Sequence, residues 1–114
     1  MKAIRLQWTD QRLVELARAL GHPARVRIVR LLAQRDSCIC GELVDELPLA
    51  QATVSQHLKV LKDAGIIAGR VQGPAVCYWL VPQALAELDE AVGELYADSG
   101  LPQESIAKTQ GDET

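Results

Sequence analysis

Residues 41–65 read GELVDELPLAQATVSQHLKVLKDAG, and the spacing inside this stretch decides the fold. Leu43, Val44 and Leu47 fit one side of a short helix over about 41–47, which Pro48 stops because proline cannot continue the backbone hydrogen-bond ladder. Only Pro48, Leu49 and Ala50 separate it from a longer run, Gln51 to Ala64, in which Val54, Leu58 and Leu61 fall on one helical face. Gly65 punctuates the end of that run. Short helix, tight turn, longer helix is helix-turn-helix spacing.

The flanking sequence completes a small domain. Upstream, Leu13, Leu16, Ala17 and Leu20 give the stripe of a helix that begins near Thr9 and closes at Gly21. Pro23 suits the first turn of a second helix to about Ala33, with Ile28, Leu31 and Leu32 inward and Arg25, Arg27 and Arg30 on a solvated face. Downstream of Gly65 the period drops to near two over 66–71 and 75–81, around the breaker Gln72-Gly73-Pro74, which predicts a β-hairpin. Pro82 opens a last helix to about Asp98, where Leu85, Leu88, Val92 and Leu95 recur at spacings of three and four. Such a seam serves pairing with another helix, and both a second copy of the chain and its own domain satisfy it. The expected architecture is mainly α with a β-hairpin wing, a winged helix-turn-helix of order α-α-α-α-β-β-α. It occupies 1–98 as one domain for DNA binding and dimerisation, with a flexible polar tail over 99–114.

Charge is distributed unevenly. The net formal charge of -3 conceals a body, 1–86, with eleven Lys and Arg against seven Asp and Glu, and a terminal segment, 87–114, with one against eight. A basic body suits contact with phosphates, which respond to local rather than total charge. No apolar run approaches the length of a membrane span and the first ten residues lack a signal-peptide pattern, so a cytoplasmic protein without membrane contact is expected. Three cysteines, an odd number, argue for reduced thiols rather than a disulfide scaffold.

On the longer helix of the unit, Gln51, Thr53, Ser55, Gln56, His57, Lys59 and Lys62 lie off the apolar stripe. Glutamine can pair bidentately with adenine, hydroxyls can bond a base or a phosphate, and lysines supply phosphate charge. Ala50, just ahead of this helix, offers no capping oxygen, so packing must hold the helix start. The wing tip, 69–75, adds one basic residue, Arg70.

Residues 49–67 closely resemble the recognition helix of the ArsR/SmtB family of metal-responsive repressors, 21–28 its second-helix start, and 76–82 its second wing strand. The resemblance implies a homodimer joined through the terminal helices, with Leu13, Leu16, Leu85, Leu88, Val92 and Leu95 as candidate contacts. It also implies binding to an inverted-repeat operator in double-stranded DNA, released by an inducer. Ser37-Cys38-Ile39-Cys40 resembles the Cys-x-Cys part of the family's arsenic and cadmium sites, which makes Cys38 and Cys40 the candidate ligands for trivalent arsenic or antimony, or a soft divalent metal, with no obligatory cofactor. The match is incomplete: Leu43 stands where the arsenic site has a third cysteine, and Cys77 is left open between a third ligand and a small packed side chain. Residues two apart on a regular helix differ by about 200°, so chelation by this pair needs a pre-helical turn. Thiol-redox sensing by the same pair, and two small side chains filling a helix start, are the alternatives. The carboxylate and imidazole site found on the family's terminal helix has no histidine here, since His22 and His57 are the only two.

Other classes fare worse. No phosphate-binding glycine loop, paired-carboxylate motif or zinc-protease motif occurs, and nothing pairs a nucleophile with a base, so an enzyme is not expected. A winged helix that binds only protein is the remaining competitor, and it predicts no salt-dependent DNA affinity.

Overall fold

The computed structural model describes residues 8–36 and 38–100, with the side chains of Trp8, Thr9, Cys38 and Ile39 outside that description. The element order is α1 (Trp8–Leu20), α2 (Pro23–Gln34), β1 (Cys38–Ile39), α3 (Cys40–Glu46), α4 (Gln51–Asp63), β2 (Ile67–Gln72), β3 (Ala75–Leu80) and α5 (Pro82–Asp98). This is the expected winged helix-turn-helix with one addition, the two-residue strand β1. It is too short to show a period-two pattern, and its partner is far away in sequence. Strand order is β1-β3-β2, both pairs antiparallel, with Cys38 opposite Tyr78 and Ile39 opposite Cys77. The wing is thereby tied to the start of α3. The tail expected over 99–114 lies outside the described residues from 101 onward.

Local chemistry explains the element ends. His22 caps α2 by accepting the Ala24 N–H at Nδ1 (3.0 Å), and Pro23 occupies the first turn. Ala50 makes no side-chain cap to α4, as its methyl group requires. The far end of α4 closes as a Schellman motif: Gly65 at φ +76° donates to the Lys62 carbonyl (2.9 Å) and Ile66 to the Leu61 carbonyl (3.0 Å). Gly73 at φ +59° begins the two-residue hairpin turn, a position where a side chain would strain the backbone.

Leu16, Ile28, Leu32, Leu43, Val54, Leu58, Leu61, Ile66 and Ile67 form the fully buried centre of the core, drawn from four helices and the wing. Burying each large aliphatic side chain contributes roughly 1.5–3 kcal/mol, enough in sum to hold an uncapped α4 in place. Leu16 is 1% exposed. It cannot form part of a dimer contact, which corrects the expectation for that residue. Leu85 and Leu88 are half-buried against the same core, and Leu13 is half-buried on α1. Only Val92 (50%) and Leu95 (52%) of the terminal seam stand open, because Ala84 and Ala91 turn the inner face of α5 inward.

Arg12 joins three helices. From α1 it donates to Glu87 on α5 (2.9 Å) and to the Ala64 carbonyl at the C-terminal end of α4 (2.7 Å), with Glu15 beside it at 3.1 Å. The Glu87 bond holds the guanidinium pKa above its usual value. Replacing Arg12 by Met leaves the Ala64 carbonyl and Glu87 without their partner, and is expected to lower stability by about 1–3 kcal/mol. Glu87→Gln, which keeps the guanidinium on the carbonyl, should cost less than about 1 kcal/mol. Urea unfolding midpoints check this; equal losses in the two variants would show that the carbonyl contact contributes nothing.

Candidate nucleic-acid interface

Packing on one side of α4 fixes what the other side presents. With Val54, Leu58 and Leu61 sunk in the core, Gln51, Ser55, Gln56, Lys59 and Lys62 are exposed, whereas Thr53 and His57 are half-buried. The exposed set runs the length of the helix, and Lys62 lies in its last turn, where the helix dipole favours a cation. Lys59 pairs with Asp63 one turn on (2.9 Å).

His57 serves its own chain. Its ring lies against His22, centroids 4.4 Å apart, and its Nδ1 is 3.3 Å from the Arg25 guanidinium. Arg25 in turn donates to the carbonyls of Ala19 and Arg18. Burial, with smaller contributions from His22 and Arg25, pushes the His57 imidazole below its usual value near 6.5. The unfolded chain therefore binds more protons than the folded one just below that pH. His57 thus contributes stability that is fully present above about 6.5 and is lost as the pH falls through the window beneath it. His57→Gln is expected to flatten this part of the profile, seen as a smaller drop in melting temperature between pH 7.5 and 5.5 than the parent shows. Parallel profiles for the two proteins would refute the assignment.

The cysteines straddle a junction. Cys38 is in β1 and Cys40 is the first residue of α3, so the pair does not lie on one regular helix. Cys40 is half-buried, and its Sγ is 3.7 Å from the Ser55 Oγ on α4. It lines a cavity of about 270 Å³ with Gly41, Gln51, Ser55, Pro74, Ala75, Val76 and Tyr78. Cys77 does not line it. In the hairpin Gly69 is opposite Tyr78 and Arg70 opposite Cys77, so alternation puts Cys77 and exposed Arg70 on the other face of the wing. Among the described residues no group of three or more His, Cys, Asp or Glu is set to hold a metal ion.

Sequence reasoning missed Tyr78, which is half-buried between wing and α4, and Arg12. For Tyr78 a signal existed: Gly69 in a strand interior marks a close approach by a neighbour. A Cβ built on Gly69 would lie 3.1 Å from the Tyr78 ring.

A solvent-exposed polar helix on the second limb of a helix-turn-helix, flanked by a hairpin, defines a winged-helix DNA-binding regulator. Comparison with known proteins agrees. Residues 22–68 match the family model described as bacterial regulatory protein, arsR family. The chain is 38% identical over 86 residues to an uncharacterised HTH-type transcriptional regulator of Methanocaldococcus jannaschii, MJ1325, covering 75% of this chain and 96% of that protein. It is 46% identical over 74 residues to the HTH-type transcriptional repressor SmtB of Mycobacterium tuberculosis, covering 65% of this chain and 54% of that one. A solved possible transcriptional regulator for arsenical resistance superposes with a TM-score of 0.66 at 28% identity, covering 88% of this chain and 97% of that chain. The chain belongs to the ArsR family of DNA-binding transcriptional regulators, a family of regulators rather than enzymes. No helix among the described residues is long and apolar enough to cross a membrane.

Proposed function

We propose that the chain is a homodimeric repressor that reads an inverted-repeat operator with α4 and is released when trivalent arsenic or antimony, or another soft thiophilic ion, engages Cys38 and Cys40. The observation that carries the DNA reading is the exposed row Gln51, Ser55, Gln56, Lys59 and Lys62, set opposite a fully buried stripe on the same helix. Gln51 and Gln56 offer bidentate base contacts, and Lys59 and Lys62 contact phosphates. Arg70, exposed on the wing face away from Tyr78, adds positive charge near the duplex without lying in the Tyr78 cleft. Half-buried Thr53 stays at the edge of this contact set, and His57 is engaged by His22 and Arg25 of its own chain. Dimer contact runs through α5, where Val92 and Leu95 are open and apolar, with Leu85, Leu88 and Leu13 at its edge.

Release follows from position. Thiolates select soft ions over hard ones, and the Cys40 Sγ is 3.7 Å from the Ser55 Oγ on the reading helix. An ion held at the α3 start, with a solvent or small-thiol ligand completing its shell, shifts that contact and favours the state in which α4 no longer fits the groove. The likeness to a regulator named for arsenical resistance supports this choice of ion.

Binding of the reduced protein to a duplex recovered by selection from random sequence should weaken steeply with salt, as phosphate contacts require. Arsenite or antimonite should lower the affinity at least about tenfold, a coupling of about 1.4 kcal/mol. Cys38→Ser/Cys40→Ser should retain DNA binding and lose the response. If peroxide releases the parent and the ions do not, the inducer is an oxidant; if the double variant responds like the parent, the cysteines sense nothing.

A further inference from the structure

Tyr78 stands between two cavities that share Ser55. On one side is the Cys40 cavity; on the other is a cleft of about 270 Å³ lined by Ser55, Leu58, Lys59, Lys62, Asp63 and Tyr78. Two lysines and the hydroxyl residues Ser55 and Tyr78 line it, with the Leu58 side chain, 1% exposed, among them. Among the described residues Asp63 is the one acidic side chain in its lining, and it is engaged by Lys59 at 2.9 Å. Lys62 has no carboxylate partner among the described residues. A concave site with a free ammonium and hydroxyl donors is complementary to a single phosphodiester, which presents one negative charge and two acceptor oxygens.

We propose that this cleft seats one DNA backbone phosphate, with Tyr78 as the wing's contribution to it and Gly69 as the residue that lets the Tyr78 ring lie there. The inference rests on the DNA-binding reading above and adds to it a specific contact from a strand of the wing, where only Arg70 was anticipated. Gly69 is directly opposite Tyr78 in the β2–β3 ladder, and any side chain there meets the ring at 3.1 Å and Val76 at 3.3 Å. Any larger residue therefore makes the ring and Val76 give by a few tenths of an ångström. On the α4 side, Lys59 and Lys62 each follow a buried leucine, Leu58 and Leu61, so the packing of those leucines fixes the side of the helix from which both lysines start. A tyrosine phenol is protonated at neutral pH and so is available there as a hydrogen-bond donor.

The two kinds of contact leave different signatures. A lysine releases a counterion when it neutralises a phosphate, whereas a neutral phenol does not. Lys62→Gln is expected to reduce the slope of log affinity against log salt by about one, and Tyr78→Phe to weaken binding about tenfold at every salt concentration, with the slope unchanged. Ethylation interference on the selected duplex identifies the phosphate. In the parent, ethylating one phosphate per half-site at the junction of recognition helix and wing blocks binding. In Tyr78→Phe that position loses its effect while the other sensitive phosphates keep theirs. Gly69→Ala, which retains the phenol but crowds its ring, should weaken binding and the effect at that phosphate in the same direction as Tyr78→Phe, with an unchanged circular dichroism spectrum. If Tyr78→Phe binds like the parent with an identical interference map, the seat is overturned and the DNA reading stands. If the parent itself selects no duplex, both fall.

Discussion

Everything on the DNA-facing side of this protein depends on the burial of Val54, Leu58 and Leu61. These residues are at most 1% exposed, and they fix the rotation of α4 about its axis. Rotation is the property a reading helix must not lose, because a turn of one residue, about 100°, would replace glutamines and lysines with the apolar stripe. The helix has no side-chain cap at Ala50, so its N-terminal end relies on this packing and on the Val54 N–H bonding back to the Ala50 carbonyl (3.0 Å). Its C-terminal end is held more firmly by the Schellman closure and by Arg12 on the Ala64 carbonyl.

That asymmetry gives the regulatory proposal a physical basis. The less restrained end of α4 is the end beside Cys40, Gln51 and the wing tip, and the better anchored end is tied through Arg12 to α1 and α5. A ligand acting at the α3 start therefore meets the part of the helix with least to hold it. The terminal helices provide the fixed frame. The short β1 strand adds a second link, since it hydrogen-bonds the segment bearing Cys38 to the same strand that carries Tyr78. A displacement at the cysteines thus reaches both the reading helix and the wing through contacts one residue long.

Much of this arrangement was legible in the sequence because it follows from periodicity and punctuation. Pro23, Pro82, Gly65 and Gly73 mark element ends through their own backbone restrictions, and the structure puts boundaries within a residue or so of those marks. Aliphatic spacing found the inner face of α4. The features that were not legible depend on contacts between distant segments. Leu16 carries the same spacing signal as a dimer seam, yet its position over the core buries it; periodicity says which residues share a face but not what covers that face. His57 belongs to a polar run by sequence, and its contacts with His22 and Arg25, at the start of α2, are not visible in that run. β1 has two residues and no pattern of its own. Tyr78 reads as one more apolar residue in a strand until its opposition to Gly69 and its proximity to Ser55 and the lysines are seen together.

The central claim is that α4 and the near face of the wing, rather than α5 or the α1 surface, meet the duplex. Amide hydrogen exchange of the reduced protein with and without its selected duplex tests this most directly. Protection on binding is expected across 51–62 and across the wing from 69 to 78, with α5 exchanging alike in both samples. Protection confined to α5, or an exchange pattern that the duplex leaves unchanged at concentrations where it is bound, would contradict the account.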